Sequence, residues 1–257
     1  MAKNLIACRP GSYGQYAAEA YKHLPTIGIT HVETDVPPEE QWAARKAALK
    51  EHGLKASSVA GGVNLSKPTE VAAFTRLARG AKAFGAKIIF LSVNTGGQPL
   101  DECYRVLREL GETAKAFGAT ISMETHPDLV TNGDVAAATM QGVNHPNVKL
   151  NYDSGNIYYY NEGRDGVAEF KKFLPWLASV HLKETNGKPK TWYFPGLHEG
   201  EGIVNFPEIF RLCKEAKFSG PFTMEIEGIE GENFTPEQAC ARVANSVAYL
   251  KSIGAMG

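Results

Sequence analysis

Short β-branched runs alternate with longer amphipathic stretches along the whole 257-residue chain, and the alternation repeats eight times. Candidate strands are Asn4–Cys8, His31–Thr34, Lys55–Ala60, Lys87–Val93, Thr120–Glu124, Val148–Asp153, Ala178–Leu182 and Pro221–Ile226. Helical stretches lie between them, near Tyr13–Leu24, Pro38–His52, Pro68–Phe84, Gln98–Phe117, Gly133–Gln141, Gly163–Leu174, Phe206–Ala216 and Pro236–Ile253. Breakers stand where such elements need them: Pro68 opens a helix, and Gly53, Gly85 and Gly118 close others. Strand then helix, repeated with no long Pro/Gly/Ser linker, predicts an α/β chain whose parallel strands are joined by helical crossovers. Each unit takes about 32 residues, the spacing of a (β/α)8 TIM barrel of roughly 250 residues. An open doubly wound sheet usually carries a glycine-rich first turn, whereas Arg9-Pro10-Gly11-Ser12-Tyr13-Gly14 lacks the GxGxxG spacing. The expectation is one closed barrel, residues 1–257, with an aromatic loop inserted after strand seven at about 184–204.

Composition narrows the partners. With 27 Lys+Arg against 28 Asp+Glu the formal net charge is −1, which offers no basic stripe for nucleic acid. No run reaches the roughly 18 apolar residues of a membrane helix, and Leu5-Ile6-Ala7 is too short for a signal peptide. Cys8, Cys103, Cys213 and Cys240 lack CxxC spacing and read as the reduced thiols of a cytoplasmic protein. A homo-oligomer stays open.

A barrel of this kind does its chemistry at the C-terminal ends of its strands. Strand five ends in Ser122-Met123-Glu124-Thr125-His126, and strand six in Asn151-Tyr152-Asp153-Ser154-Gly155-Asn156. Strand seven ends in Val180-His181-Leu182-Lys183-Glu184, and strand eight in Thr223-Met224-Glu225-Ile226-Glu227. Four consecutive strands thus deliver Glu124, Asp153, His181 and Glu225 to one mouth, while Met123, Leu182, Met224 and Ile226 alternate to the other face. Burying three carboxylates without a cation costs several kcal/mol per unpaired charge, so the set predicts one divalent metal ion. Oxygen-rich ligation with one nitrogen and no thiolate favours Mn²⁺, with Mg²⁺, Co²⁺ or Zn²⁺ also admitted. Glu227 points to the same side as Glu225 and is the alternative last ligand.

Taken together, Met123-Glu124-Thr125-His126-Pro127, Asn151-Tyr152-Asp153-Ser154-Gly155-Asn156, Val180-His181-Leu182-Lys183, Gly200-Glu201-Gly202-Ile203-Val204-Asn205-Phe206 and Thr223-Met224-Glu225 carry a resemblance. The chain resembles the xylose-isomerase-like TIM-barrel superfamily over its whole length, the sugar phosphate isomerase/epimerase or AP-endonuclease-2-like group. The resemblance puts Glu124, Asp153, His181 and Glu225 on the family's metal ligands. It also gives Glu124 and Glu225 a paired acid–base role. The endonuclease-IV-like branch needs many more histidines than His126, His181 and His198 supply, and DNA repair is set aside.

The implied activity is a metal-dependent sugar isomerase or epimerase: a proton is removed next to a carbonyl, and the cation stabilises the enediolate. The alternative is a lyase or dehydratase that expels a β-substituent from a keto-sugar or keto-glycoside at the same site. A third, less favoured reading is a non-catalytic sugar-binding barrel. Lys183 and His126, each two residues beyond a ligand, are further catalytic candidates. Glu33, Arg9, Trp192 and His198 are candidates for contact with a small sugar or keto-sugar substrate. Trp192-Tyr193-Phe194-Pro195-Gly196 suggests a lid that stacks on the substrate or a surface that packs on a neighbouring subunit. Tyr158-Tyr159-Tyr160 reads as lining the same mouth, with at least one tyrosine used in packing. No Gly-rich phosphate cradle is present, so a phosphorylated substrate is not implied.

Overall fold

Eight parallel strands hydrogen-bond in the order β1-β2-β3-β4-β5-β6-β7-β9, and β9 pairs with β1 to close the barrel. The computed structural model describes residues 3–256. The barrel strands are β1 (Ile6–Cys8), β2 (His31–Asp35), β3 (Lys55–Asn64), β4 (Ile88–Asn94), β5 (Thr120–Met123), β6 (Val148–Asp153), β7 (Leu177–Leu182) and β9 (Phe222–Met224). The crossovers carry α1 (Ala20–Thr26), α2 (Trp42–Glu51), α3 (Pro68–Phe84), α4 (Leu100–Ala116), α5 (Gly133–Val143), α6 (Asn156–Tyr159), α7 (Gly166–Phe173), α8 (Phe206–Glu215) and, after β9, α9 (Pro236–Ser252). Two short strands, β8 (Tyr193–Phe194) and β10 (Gly228–Ile229), pair antiparallel beside the barrel mouth. They tie the loop after β7 to the loop after β9. The expected TIM barrel is therefore the observed fold.

Helix boundaries follow local chemistry. Asn132 Oδ1 accepts from the backbone N–H groups of Asp134 and Val135 to start α5, and Asp165 caps α7 through Ala168. Thr235 and Gln238 form a reciprocal capping box on α9. Several expected elements differ; the helix expected from Pro38, for instance, opens with the 3-10 turn Glu39–Gln41 and is α-helical from Trp42. The helix expected over 13–24 is a 3-10 run, Pro10–Glu19, kinked at Gly14 (φ +58°), and becomes α-helical only at Ala20. Strand β3 runs on to Asn64 because Gly61 and Gly62 stay in register with Leu91 and Ser92 of β4. The helix expected from Gly163 waits for its Asp165 cap. Strand β9 spans only Phe222–Met224, although the Glu225 N–H still donates to the Leu182 carbonyl at 3.0 Å.

The apolar core fills the space between sheet and helices, with Ile89, Leu91, Ile121, Val180, Leu182 and Phe222 fully buried. The barrel interior is polar near the site. Ser122 Oγ lies 2.7 Å from Ser179 Oγ, which also accepts from Asn151 Nδ2 at 2.7 Å. These residues stand two positions before Glu124, His181 and Asp153, so strand alternation stacks the functional layer on this one. Cys8, Cys103, Cys213 and Cys240 are free thiols. Among the described residues no helix is long and apolar enough to cross a membrane.

Helix α3 lies close to the end of β2 because Gly80 has no side chain. A Cβ there would stand 2.3 Å from Val36 Cγ1 and 2.9 Å from Val36 Cγ2. An alanine adds about 1 kcal/mol of helix propensity. The clash with a β-branched neighbour costs about 1–3 kcal/mol. Gly80→Ala is expected to lower the melting temperature by a few degrees. In a thermal-denaturation cycle, Val36→Ala should relieve that loss; an additive cycle would disprove the contact.

Candidate metal centre and active site

Strand ends and strand alternation bring Asp153, His181 and Glu225 together. Each offers one donor atom within 4.8 Å of the others, and all three are buried. Asp153 closes β6. Its Oδ1 accepts from the backbone N–H groups of Gly155 (2.9 Å) and Asn156 (2.8 Å), which turns the chain into α6. Its Oδ2 is buried without a hydrogen-bond partner; Lys183 Nζ lies 3.3 Å away and His181 Nδ1 3.7 Å away. A buried, unpartnered carboxylate oxygen aimed at two other ligand types suits a cation. Burial alone would raise the Asp153 pKa, yet Lys183, His181 and the Asn156 N–H hold it down at about 2.

The imidazole of His181 is fixed from three sides. Its Nε2–H donates to Glu33 Oε1 at 3.1 Å, and Glu33 Oε2 accepts from Ser58 Oγ at 2.7 Å. Phe90 of β4 stacks on the ring at 4.4 Å between centroids. Nδ1 is left facing Glu225 Oε2 at 2.9 Å. A carboxylate that orients one nitrogen of a histidine leaves the other for a metal, so the donor set fits a divalent cation. Burial opposes charge on both partners. The attraction between them wins: the Glu33 pKa falls below the usual carboxylate range and that of His181 rises.

Two permanent cations border the carboxylates. Arg9, just past β1, meets Glu225 with Nη1 and Glu33 with Nε (3.4 Å), and its guanidinium lies 5.4 Å from the Phe90 ring centre. Lys183 is buried. Its Nζ stands 3.0 Å from Glu225 Oε2, 2.9 Å from Glu227 Oε2 and 3.2 Å from Asn156 Oδ1, with the Phe194 ring 5.0 Å away. Burial disfavours its charge, but Asp153 and Glu227 overcome that and raise its pKa. Gly155 makes room for the lysine stem, since a Cβ there would lie 2.6 Å from Lys183 Cγ.

The remaining candidates divide. Glu124 follows β5 directly and stands outside the 4.8 Å group; its Oε1 accepts from Asn156 Nδ2 at 3.2 Å. Its charge bears on the Tyr160 phenol together with Asp153 and Glu227. Burial, with those charges added to it, pushes the Tyr160 pKa up to about 12. Glu227 is more exposed than Glu225 and pairs with Lys183, outside the three-residue group. His126 sits edge-on to Tyr160 at 4.9 Å, and its Nδ1 lies 2.6 Å from the Pro127 carbonyl. Trp192, 43 % exposed, packs edge-on against Phe194 at 5.2 Å. His198 is used elsewhere: its ring stacks on Tyr249 of α9 at 4.5 Å. Sequence reasoning overlooked Phe90, whose apolar ring gave no signal within the Ile88–Val93 run. It quoted Asn156 and Glu184 only as parts of motifs.

A cavity of about 500 Å³ is lined by Arg9, Glu33, Glu225 and Glu227 together with Tyr21 and Arg45. If the group holds a divalent cation, added Mn²⁺ should raise the melting temperature of the unaltered protein, and Asp153→Ala should leave the barrel folded while abolishing that rise. Elemental mass spectrometry of both proteins after metal loading and dialysis checks this. Equal metal retention would refute the assignment.

Residues 22–253 match the family described as Xylose isomerase-like TIM barrel. Among curated proteins, the L-ribulose-5-phosphate 3-epimerase UlaE of Salmonella typhi is 28% identical over 138 residues, which are 53% of this chain and 46% of that enzyme. The matched region thus spans about half the length of that relative. Among solved structures, a xylose isomerase-like TIM barrel protein from Mycobacterium smegmatis in complex with magnesium superposes with a TM-score of 0.76, at 20% identity and full coverage of both chains. The D-psicose 3-epimerase of Clostridium cellulolyticum H10, solved with D-tagatose, gives a TM-score of 0.76 at 15% identity, over 96% of this chain and 98% of that one. The family match covers most of the barrel, and the chain belongs to the xylose isomerase-like TIM barrels.

Proposed function

We propose that this chain is a divalent-cation-dependent isomerase or epimerase of a small sugar or keto-sugar. It would act in the cytoplasm as one barrel domain with Mn²⁺ as its metal. The carrying observation is the buried Asp153–His181–Glu225 group, oriented by Glu33 and flanked by Glu124 and Lys183. Asp153 Oδ2, His181 Nδ1 and Glu225 would hold the cation, with Glu124 closing the set. When bound, the cation polarises a carbonyl and its neighbouring hydroxyl and lowers the cost of the charge that builds there.

The chain's own groups do the rest. Glu124 removes the proton beside the carbonyl from one side and keeps it, while Glu225, entering the cycle protonated, gives its own proton to the other side; exchange with water then resets the pair. Asn156 Nδ2 keeps the Glu124 carboxylate in place. Arg9 and Lys183 supply donors to substrate oxygens, each held by carboxylates that fix its direction. The cavity beside Arg9 and Glu225 gives the substrate its approach. Phe194, Trp192 and Tyr159 form a connected aromatic cluster in which buried Phe194 backs Trp192, whose exposed ring can stack on a sugar.

The test is incubation of the Mn²⁺-loaded protein with a panel of ketoses in D₂O, read by NMR and mass spectrometry. Deuterium next to the carbonyl, in a product otherwise unchanged in mass, is expected. Glu124→Gln and Glu225→Gln should each slow exchange by about 10²–10⁴-fold. A dehydrated or split product would replace the isomerase reading with the lyase one. No exchange with any ketose, by protein that holds the cation, would overturn both for these substrates.

A further inference from the structure

A single buried carboxylate holds both ends and the far side of the long loop after β7. The Glu184 side chain is buried, and its Oε1 accepts from the backbone N–H groups of Thr185 (3.1 Å) and Val204 (3.0 Å). Its Oε2 accepts from the His198 N–H at 2.9 Å. Thr185 and Val204 are the first and last residues of the segment 185–204, and His198 lies beyond its aromatic stretch. Among the described residues Glu184 has no salt bridge; its partners are backbone amides. Burial raises the Glu184 pKa, and the three N–H donors oppose that rise by pairing with both carboxylate oxygens.

Further contacts depend on this clamp. The Ile203 N–H donates to the Thr185 carbonyl at 3.0 Å, so the loop closes like a purse around Glu184. Gly202 is required for the fit: a Cβ there would lie 2.4 Å from Glu184 Cδ and 2.7 Å from its Oε2. The closed loop carries Trp192 and Phe194, and Phe194 faces the Lys183 ammonium. Through β8 it also pairs with β10, directly after Glu227. A loop this long with so little regular structure needs an internal anchor to present one surface.

We infer that Glu184 is the positioning residue of the active-site mouth: its carboxylate anchors the 185–204 loop and thereby sets the aromatic wall against Lys183. It touches neither substrate nor metal in this role. A glutamine at 184 would turn an N–H₂ group toward at least one of the three amide donors and leave that donor unpaired.

Two variants test the anchor, Glu184→Gln and Gly202→Ala, the second keeping the carboxylate and displacing it by crowding. Both are prepared with Trp42→Phe and Trp176→Phe, leaving Trp192 as the sole tryptophan, excited selectively at long wavelength. Hydrogen-exchange mass spectrometry should show the 185–204 peptides exchanging at least about tenfold faster, with barrel-strand peptides unchanged. Trp192 emission should shift to longer wavelength, while Mn²⁺ affinity stays within about twofold of the parent. For any ketose that exchanges its proton, KM should rise more than kcat falls. Should no ketose exchange, the amide, fluorescence and Mn²⁺ readouts decide alone, so the inference stands or falls apart from the proposed reaction. Parental exchange rates and emission in both variants would overturn it. So would loss of Mn²⁺ binding together with loop order, since Glu184 would then serve the barrel rather than the loop.

Discussion

Carboxylates outnumber cations at the mouth of this barrel, and that imbalance organises the residues around it. Glu33, Glu124, Asp153, Glu225 and Glu227 gather at the strand ends, and Arg9 and Lys183 are the permanent positive charges among them. Unpaired charge in a low-dielectric interior is costly, so each group is held by named partners. Glu33 is shared by His181, Ser58 and Arg9; Lys183 is shared by Asp153, Glu225, Glu227 and Asn156. The excess negative charge that remains, next to an Asp153 oxygen that accepts no hydrogen bond, is what a divalent cation would neutralise. Gly155 and Phe90 have their places because Lys183 and His181 must be held at fixed points.

Much of this was legible in the chain because strands alternate with period two. Asn151 and Asp153 share a face, as do Ser179, His181 and Lys183, and Thr223, Glu225 and Glu227. Reading the strand ends therefore yields a layer rather than isolated residues. Glu225 and Glu227 show the limit. Both point to the mouth, and only tertiary placement, with Glu225 inside the His181–Asp153 group and Glu227 on the far side of Lys183, separates them. His198 was illegible for a related reason. Its use depends on Tyr249, far along the chain on α9, which no local pattern announces. The first helix was misread because the kink at Gly14 interrupts a stretch whose composition suits a helix.

The loop after β7 divides its labour by chemistry. Its polar anchor is Glu184, its apolar face is Phe194 and Trp192, and Lys190 packs over Tyr160 at 4.3 Å from the ring centre. Tyr160 in turn lies within the electrostatic reach of Glu124 and Asp153. The barrel supplies rigid strand ends for the clustered polar groups, while loops supply the walls, an arrangement that lets one scaffold take different ligands by changing the loops.

The most direct measurement is the electron spin-echo envelope modulation of the Mn²⁺-loaded protein. The account predicts modulation from one histidine nitrogen, lost in His181→Ala while the barrel remains folded. Modulation from water protons alone, or a nitrogen signal that survives the substitution, would contradict a cation held by His181 with Asp153 and Glu225.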